Sequence, residues 1–228
     1  MKNIQFKDFT FDIYDGNLGA YVSGGADSAL MLYILMSNIK QPLHIFSTAN
    51  GKSNYREPIN ALKVINKIIN MTGFDPNHVR FYTHYTKHKT TDNVMLPEFM
   101  QNINVDIVYF GFTRPPPHDA ILDFDTVNVA AQGGVDHGLM LDTFYDNLSD
   151  IPSHFFQNKE FSYPKLPQSY SVPFININKQ KIAALYRELG IEDLYKITRS
   201  CESTVINDQH CGSCWWCKER IWGFGYLD

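Results

Sequence analysis

The sequence predicts an α/β protein with a mostly parallel sheet of about five strands and an appended metal-binding segment. Three observations carry this. Short apolar runs alternate with helix-periodic stretches between residues 18 and 110. The first of these runs ends in two glycines and leads directly into a helix. All four cysteines lie between Cys201 and Cys217.

Taken in order, Leu18 to Val22 is a short apolar strand ending at Ser23-Gly24-Gly25. Ala26 to Met36 reads as a helix with Leu30, Ile34 and Leu35 on one side. His44 to Ala49, introduced by Pro42, is the second strand, and its Phe46 and Ser47 are candidate nucleotide contacts. Glu57 to Thr72 carries Ile59, Leu62, Ile65 and Ile69 at helical spacing, and Gly73 is its stop. Val79 to Tyr85 alternates like a third strand. Asp92 to Asn102 is a weaker helix, interrupted by Pro97. Val105 to Phe110 is the fourth strand, closed by Gly111. Between Thr113 and Ser171 the pattern dissolves into a proline-punctuated, aromatic stretch, read as an irregular insertion that serves as a lid or a docking surface. Val172 to Ile177 is the expected fifth strand. Asn178 is an N-cap for a helix through Leu189, closed by Gly190. Strands alternating with helices make the sheet Rossmann-like. Residues 1–228 form one domain, with residues 198–228 as its metal-binding end.

Bulk properties narrow the function. At 228 residues the chain is long enough to bury a sizeable core. With 44% apolar and 19% charged residues it is not of disordered composition. A net charge of −4 and a pI near 6.0 do not favour a nucleic-acid partner. No run of about 18 apolar residues exists, so no membrane span is expected. The N-terminus does not read as a secretory signal, and a cytoplasmic location is expected.

Ser23-Gly24-Gly25-Ala26-Asp27-Ser28 has the chemistry of a phosphate cradle. Two residues without Cβ let the backbone turn sharply and approach an anion. Their N–H groups and the positive end of the following helix then face the same spot. Ser23 and Ser28 add hydroxyls. Asp27 would repel phosphate alone but suits a Mg²⁺ ligand beside it. This is not a Walker loop, because no lysine follows Gly25.

The cysteine spacing is Cys201-x9-Cys211-x2-Cys214-x2-Cys217. Four thiolates satisfy tetrahedral zinc, and Gly212 permits a tight knuckle, so a closed, structural zinc site is the first reading. An iron–sulfur cluster is the rival, since Cys-x2-Cys-x2-Cys also occurs in ferredoxin-like runs.

The loop Ser-Gly-Gly-x-Asp-Ser resembles the PP-loop of the N-type ATP pyrophosphatase superfamily. Further along, Thr198-Arg199-Ser200-Cys201, the run His210 to Arg220, and Phe224 resemble the C-terminus of the 7-cyano-7-deazaguanine synthases of queuosine biosynthesis. Pro173, Lys179-Gln180-Lys181-Ile182 and Leu189-Gly190 look like that family's last strand and helix. The resemblance implies a sheet of the adenine nucleotide α-hydrolase type. It also implies a loop that binds the β- and γ-phosphates while the substrate attacks the α-phosphorus. Lys179 matches a family lysine expected to reach the pyrophosphate, with Lys181 the neighbouring alternative, and Gly111 matches a glycine closing a central strand. The implied reaction adenylates a deazapurine carboxylate and passes it to ammonia, giving an amide or nitrile. Asp27 and Lys179 are the implied catalytic pair, and ATP, Mg²⁺ and Zn²⁺ the implied cofactors. The middle of the chain departs from the family. Thr48-Ala49-Asn50-Gly51 stands where a Tyr-Gly-Gln-like stretch is usual, and the family's Arg-Asn pair is not found near Asp92 to Pro97.

Arg114, His118 and Asp119 leave the C-terminal end of the fourth strand, where ligands bind in open parallel sheets, and join Gly111 as candidate substrate residues. Asp136-His137 is another carboxylate–histidine pair of little weight. Arg56 and Glu57 either reach the nucleotide or cap a helix. Trp215 and Trp216 either stack a base or fill a small core. No cysteine lies outside the cluster, which argues against persulfide-relay thiolases and sulfonucleotide reductases. A cluster-dependent tRNA thiolase stays open if the metal is iron, as does a non-catalytic nucleotide-binding subunit of a larger complex. The sequence leaves a monomer and a homodimer open.

Overall fold

The computed structural model describes residues 1–50, 56–86, 103–114, 116, 169–201 and 210–227. The expected helix at 92–102, most of the segment 113–171, and His118, Asp119, Asp136 and His137 lie outside the described residues.

A two-stranded antiparallel hairpin, β1 (Lys2–Phe6) and β2 (Phe9–Ile13), precedes the sheet. It has no counterpart among the elements expected from the sequence. Phe6 pairs with Phe9 across Lys7-Asp8, and period-two alternation turns Phe11 and Ile13 into the core. Tyr109 locks the hairpin down. Its hydroxyl accepts from Tyr14 N at 2.9 Å, donates to Asp12 O at 3.2 Å, and its ring stacks on Phe11.

The main sheet is built from β3 (Leu18–Tyr21), β4 (Leu43–Asn50), β5 (Val79–Thr86), β6 (Ile107–Phe110) and β7 (Ser169–Ser171). Its order is β5-β4-β3-β6-β7, and every neighbouring pair is parallel. From β3 the chain winds outward through β4 and β5, then returns to place β6 on the other side of β3. The reversal makes the β3/β6 boundary a topological switch point, where the C-terminal strand ends open a crevice. Tyr21 is in register with both Phe46 and Phe110, so β3 and β6 end level while β4 runs on to Asn50.

Alternation along the strands feeds two layers. Leu18, Ala20, Leu43, Ile45, Ile107 and Tyr109 face a large core shared with the helices. Phe46, Val108, Phe110 and Tyr170 face the other side, with Tyr21 and Tyr82 packed against them. All four residues of β6 are buried, as a central parallel strand requires.

Helix α1 (Ala26–Asn38) packs between the sheet and its fellow helices and is buried nearly all round, not along the one side that Leu30, Ile34 and Leu35 suggest. Helix α2 (Glu57–Thr72) ends at Gly73 with φ of 67°, the left-handed cap expected of glycine. Its buried stripe is Ala61, Val64, Ile65 and Ile68, rotated from the expected one, so that Ile59 and Leu62 are 55% and 42% exposed. Arg56 is its N-cap residue and Glu57 stands in its first turn.

The fifth strand precedes the expected span. Val172 to Ile177 instead forms turns closed by Ile175 N to Val172 O and Ile177 N to Phe174 O. Pro173 has no N–H for a ladder, which favours turn over strand here. Helix α3 (Lys179–Glu188) starts where expected, with Asn178 Oδ1 accepting from Lys181 N at 3.1 Å. A short α4 (Glu192–Tyr195) and α5 (Trp215–Phe224) complete the described elements. No described helix is long and apolar enough to cross a membrane.

Gly111, just past β6, is where sheet and helix come closest. A Cβ there would sit 2.7 Å from Ser28 N and 2.8 Å from Ser28 Cα, both rigid backbone of α1. Gly111→Ala is therefore expected to destabilise the protein by about 1–3 kcal/mol, the scale of overpacking. Chemical denaturation checks this, with the midpoint falling at unchanged slope.

Candidate phosphate loop and cysteine knuckle

The loop from Ser23 to Ser28 leaves β3 at the switch point, as its sequence predicts. Gly24 has φ of +85°, and a Cβ on it would lie 2.5 Å from Asn60 Cβ and 2.6 Å from the Asn60 carbonyl carbon. Glycine is thus required there both by backbone conformation and by the first turns of α2. Gly25 is the N-cap of α1, and its carbonyl accepts from Ala29 N at 3.0 Å and from Ser28 Oγ at 3.1 Å. Ser23 Oγ lies 3.3 Å from both Ser28 Oγ and Gly25 N. The first N–H groups of α1, at Ala26, Asp27 and Ser28, have no intrahelical acceptor and form the positive end of the helix.

Distant residues hold the loop. Arg199 N donates to Gly24 O at 2.9 Å, and Tyr186 Oη donates to Ala26 O at 2.8 Å. Burial, then the nearby Asp27 carboxylate, keeps the Tyr186 phenol protonated well above its ordinary range.

Asp27 lies in the first turn of α1, not in a free loop, and its side chain is 18% exposed. Its Oδ2 is paired with Lys179 Nζ and accepts from Thr113 Oγ1 at 3.3 Å. Its Oδ1 is buried and has no hydrogen-bond partner among the described residues. A carboxylate oxygen left bare beside a phosphate-type loop fits a hard divalent cation such as Mg²⁺.

Lys179, the first residue of α3, is 6% exposed. Besides Asp27 it faces Glu219, 5% exposed, whose Oε2 is 3.3 Å from Nζ, an ion pair rather than an aligned hydrogen bond. Burial is the largest influence on Lys179 and pulls its pKa down. Asp27 and Glu219 together outweigh it, and the net shift is upward. Glu219 is raised, first by burial and then by Asp27, against the opposing pull of Lys179. Lys181, by contrast, pairs with Asp8 at 3.0 Å on the surface. The structure thus separates the two lysines and brings Lys179 alone to the loop.

The other candidates divide. Ser47 is fully buried, and its Oγ has no hydrogen-bond partner among the described residues. Phe46 is buried in the aromatic layer, stacked on Tyr82, and its edge would touch a Cβ on Gly19. Gly111 admits the backbone of α1 rather than leaving open space. Arg114 is exposed, with its N–H bonded to Ile177 O at 2.8 Å. Thr113, Glu219 and Gly223 were not singled out from sequence. Thr113 had only its place after β6 to mark it, and Glu219 only its place on the helix that carries Cys217.

The four cysteines converge although Cys201 is distant in sequence. All their sulfurs lie within 4.8 Å of one another, with Cys211–Cys217 and Cys201–Cys214 each at 3.9 Å. Cys211 N points at Cys201 Sγ at 3.4 Å and Cys214 N at Cys211 Sγ at 3.3 Å, as in a knuckle whose backbone supports thiolates. His210 Nδ1 is 3.8 Å from Cys217 Sγ. Hydrogen bonding to Cys201 and burial push the Cys217 thiol up to about 12. Four sulfurs converging this closely are the donor set of a tetrahedral metal site, so the residues fit a metal.

Arg220 ties this knuckle to the body. It is buried, donating to Thr198 Oγ1 at 2.8 Å, Tyr195 O at 2.9 Å and Leu227 O at 3.0 Å, with its guanidinium 3.8 Å from the Tyr195 ring centre. Trp215 and Trp216 are half-buried in the same helix.

Comparison with known proteins follows the same division. Residues 145–227 match the family model for queuosine biosynthesis protein QueC, which supports the resemblance read from the C-terminal motifs. A search of curated proteins finds no match. Among solved structures, the U34-tRNA thiolase NcsA from Methanococcus maripaludis, with its 4Fe-4S cluster, is similar over 90% of this chain, at 15% identity and a TM-score of 0.44. This chain spans 64% of that protein's length.

Cys217→Ser is expected to lose the bound metal and to lower the melting temperature, because α5 carries both a metal ligand and the Arg220 anchor. Metal analysis of purified protein together with a thermal melt checks both; a metal-free wild type would contradict the reading of the cluster.

Proposed function

We propose that this chain is an ATP-dependent adenylating ligase of the 7-cyano-7-deazaguanine synthase type. The observation that carries the reading is the meeting of Lys179 with Asp27, 152 residues apart in sequence, at the mouth of a glycine loop opening onto a helix N-terminus. A cation and a bare carboxylate oxygen beside converging N–H groups are what a magnesium–nucleotide needs. The C-terminal family match and the knuckle support the same assignment.

In this reading Ser23 to Ser28 hold the pyrophosphate end of ATP. Asp27 contributes its free Oδ1 to Mg²⁺, which would neutralise charge on the phosphates. Lys179 supplies a second positive charge as negative charge shifts onto the leaving pyrophosphate. The substrate carboxylate attacks the α-phosphorus, a phosphorus–oxygen bond forms, and pyrophosphate departs. Ammonia then displaces AMP from the acyl carbon, leaving the amide after loss of a proton. Conversion of the amide to a nitrile would need a second activation of the same kind. Ser47 Oγ, buried and without a hydrogen-bond partner among the described residues, suits a contact to the nucleotide. Gly111 and Arg114 stand on the substrate side, and Arg114 suits bidentate pairing with a carboxylate. His118 and Asp119, which lie outside the described residues, are further candidates for the substrate.

The metal of the knuckle is proposed to be zinc. A tetrahedron with zinc–sulfur bonds of about 2.3 Å has edges of about 3.8 Å, close to the 3.9 Å separations here. A four-iron cluster places an iron–sulfide cube between its cysteines and needs them farther apart. The partners proposed are a small deazapurine and ammonia.

Incubation with 7-carboxy-7-deazaguanine, ATP, Mg²⁺ and ammonia is expected to yield AMP, pyrophosphate and the amide or nitrile. Asp27→Ala should reduce turnover at least ~100-fold, the scale of losing a transition-state charge contact. ADP and phosphate as products would reject this use of the loop. No turnover by folded, metal-loaded protein would favour an altered substrate or the non-catalytic subunit.

A further inference from the structure

One face of α5 forms one side of the seat on which Lys179 rests. Gly223 stands one turn beyond Glu219, at i and i+4, so both point the same way. Glycine at 223 is compulsory, because a Cβ would lie 2.3 Å from Lys179 Cγ and 2.7 Å from its Cβ. The aliphatic stem of Lys179 thus lies in the notch left by Gly223, and its ammonium meets Glu219 at 3.3 Å. On the opposite side the same ammonium meets Asp27. One buried cation is shared between two carboxylates, one belonging to the phosphate loop and the other to the helix that carries Cys217.

We propose that Glu219 is a positioning residue that holds Lys179 when Asp27 leaves it for a magnesium–nucleotide. The inference rests on the function proposed above. Asp27 Oδ1, the oxygen proposed for Mg²⁺, is buried, so the carboxylate must turn to present it, which loosens the hold of Lys179 and Thr113 on Oδ2. If Lys179 had no second counter-charge, that turn would strand a buried ammonium, which is strongly unfavourable. With Glu219 in place, Lys179 keeps a partner throughout and stays aimed at the loop. Glu219 therefore lowers the cost of releasing Asp27 without touching the nucleotide.

The test measures binding, not turnover. Affinity for an α,β-methylene ATP analogue is followed by calorimetry across a Mg²⁺ titration for wild type, Glu219→Gln, Lys179→Gln and the double variant. Zinc content and melting temperature are recorded for each. Glu219→Gln is expected to raise the Mg²⁺ needed for half-maximal binding roughly tenfold, near the lower end of the coupling between close charge pairs. That shift should vanish in the Lys179→Gln background, since the effect runs through the lysine. A merely structural role would give the same shift in both backgrounds, and that result, or no shift at all, overturns the proposal. If Glu219→Gln loses zinc or fails to fold, Glu219→Asp replaces it in the same cycle. A raised Mg²⁺ requirement that disappears without Lys179 again supports the proposal, and an unchanged one overturns it. Wild type that binds the analogue but forms no AMP with substrate rejects only the proposed reaction. Wild type that binds no magnesium–nucleotide rejects both.

Discussion

Burying the ammonium of Lys179 constrains the three helices that meet around it. Removing a charge of this kind from water costs several kcal/mol unless opposite charges replace the lost solvent. Asp27 and Glu219 do so from opposite sides. For both to reach it, the start of α3 must lie against the start of α1, and α5 must cross close enough to need glycine at 223. The contacts of α3 with α1 and with α5 follow that geometry. The same contacts draw together residues from both ends of the sequence at the crevice between β3 and β6.

Close backbone approach is the second constraint on the site. Gly24 lies against the first turns of α2, and Gly111 against the first turn of α1. Both helices therefore begin at the C-terminal edge of the sheet. The N–H groups that open α1 are thereby presented at the switch point, where an anion gains from the helix dipole. The rigidity of this arrangement comes from the two layers on which the central strands sit, one shared with the helices and one aromatic.

The cysteine knuckle contributes to the loop through two routes. Cys201 is two residues beyond Arg199, whose N–H holds Gly24 O, and Cys217 is two residues before Glu219. Arg220 fastens the intervening backbone by bonding Thr198 and the Tyr195 carbonyl. The structural metal proposed for this place would fix a short segment where packing alone is a weak constraint.

Much of this was legible in the sequence, because local chemistry determined it. Leu18 to Val22 followed by two glycines, the glycine stop of α2, the Asn178 cap and the short cysteine spacings each depend on neighbours a few residues away. They yielded the strand, loop and helix order, the glycine loop that opens α1 and the four cysteines that cluster. The fifth strand was misplaced because apolar content does not reveal that Val172 to Ile177 closes turns around Pro173. The buried stripe of α2 was rotated because spacing alone does not say which side the sheet occupies. Tertiary structure decided which lysine reaches Asp27, since Lys179 and Lys181 are indistinguishable by composition and differ only in the direction they leave α3. It also decided that Thr113, Glu219 and Gly223 belong to the site, because their partners are fixed by helix packing across long stretches of chain, and no local pattern records such a distance.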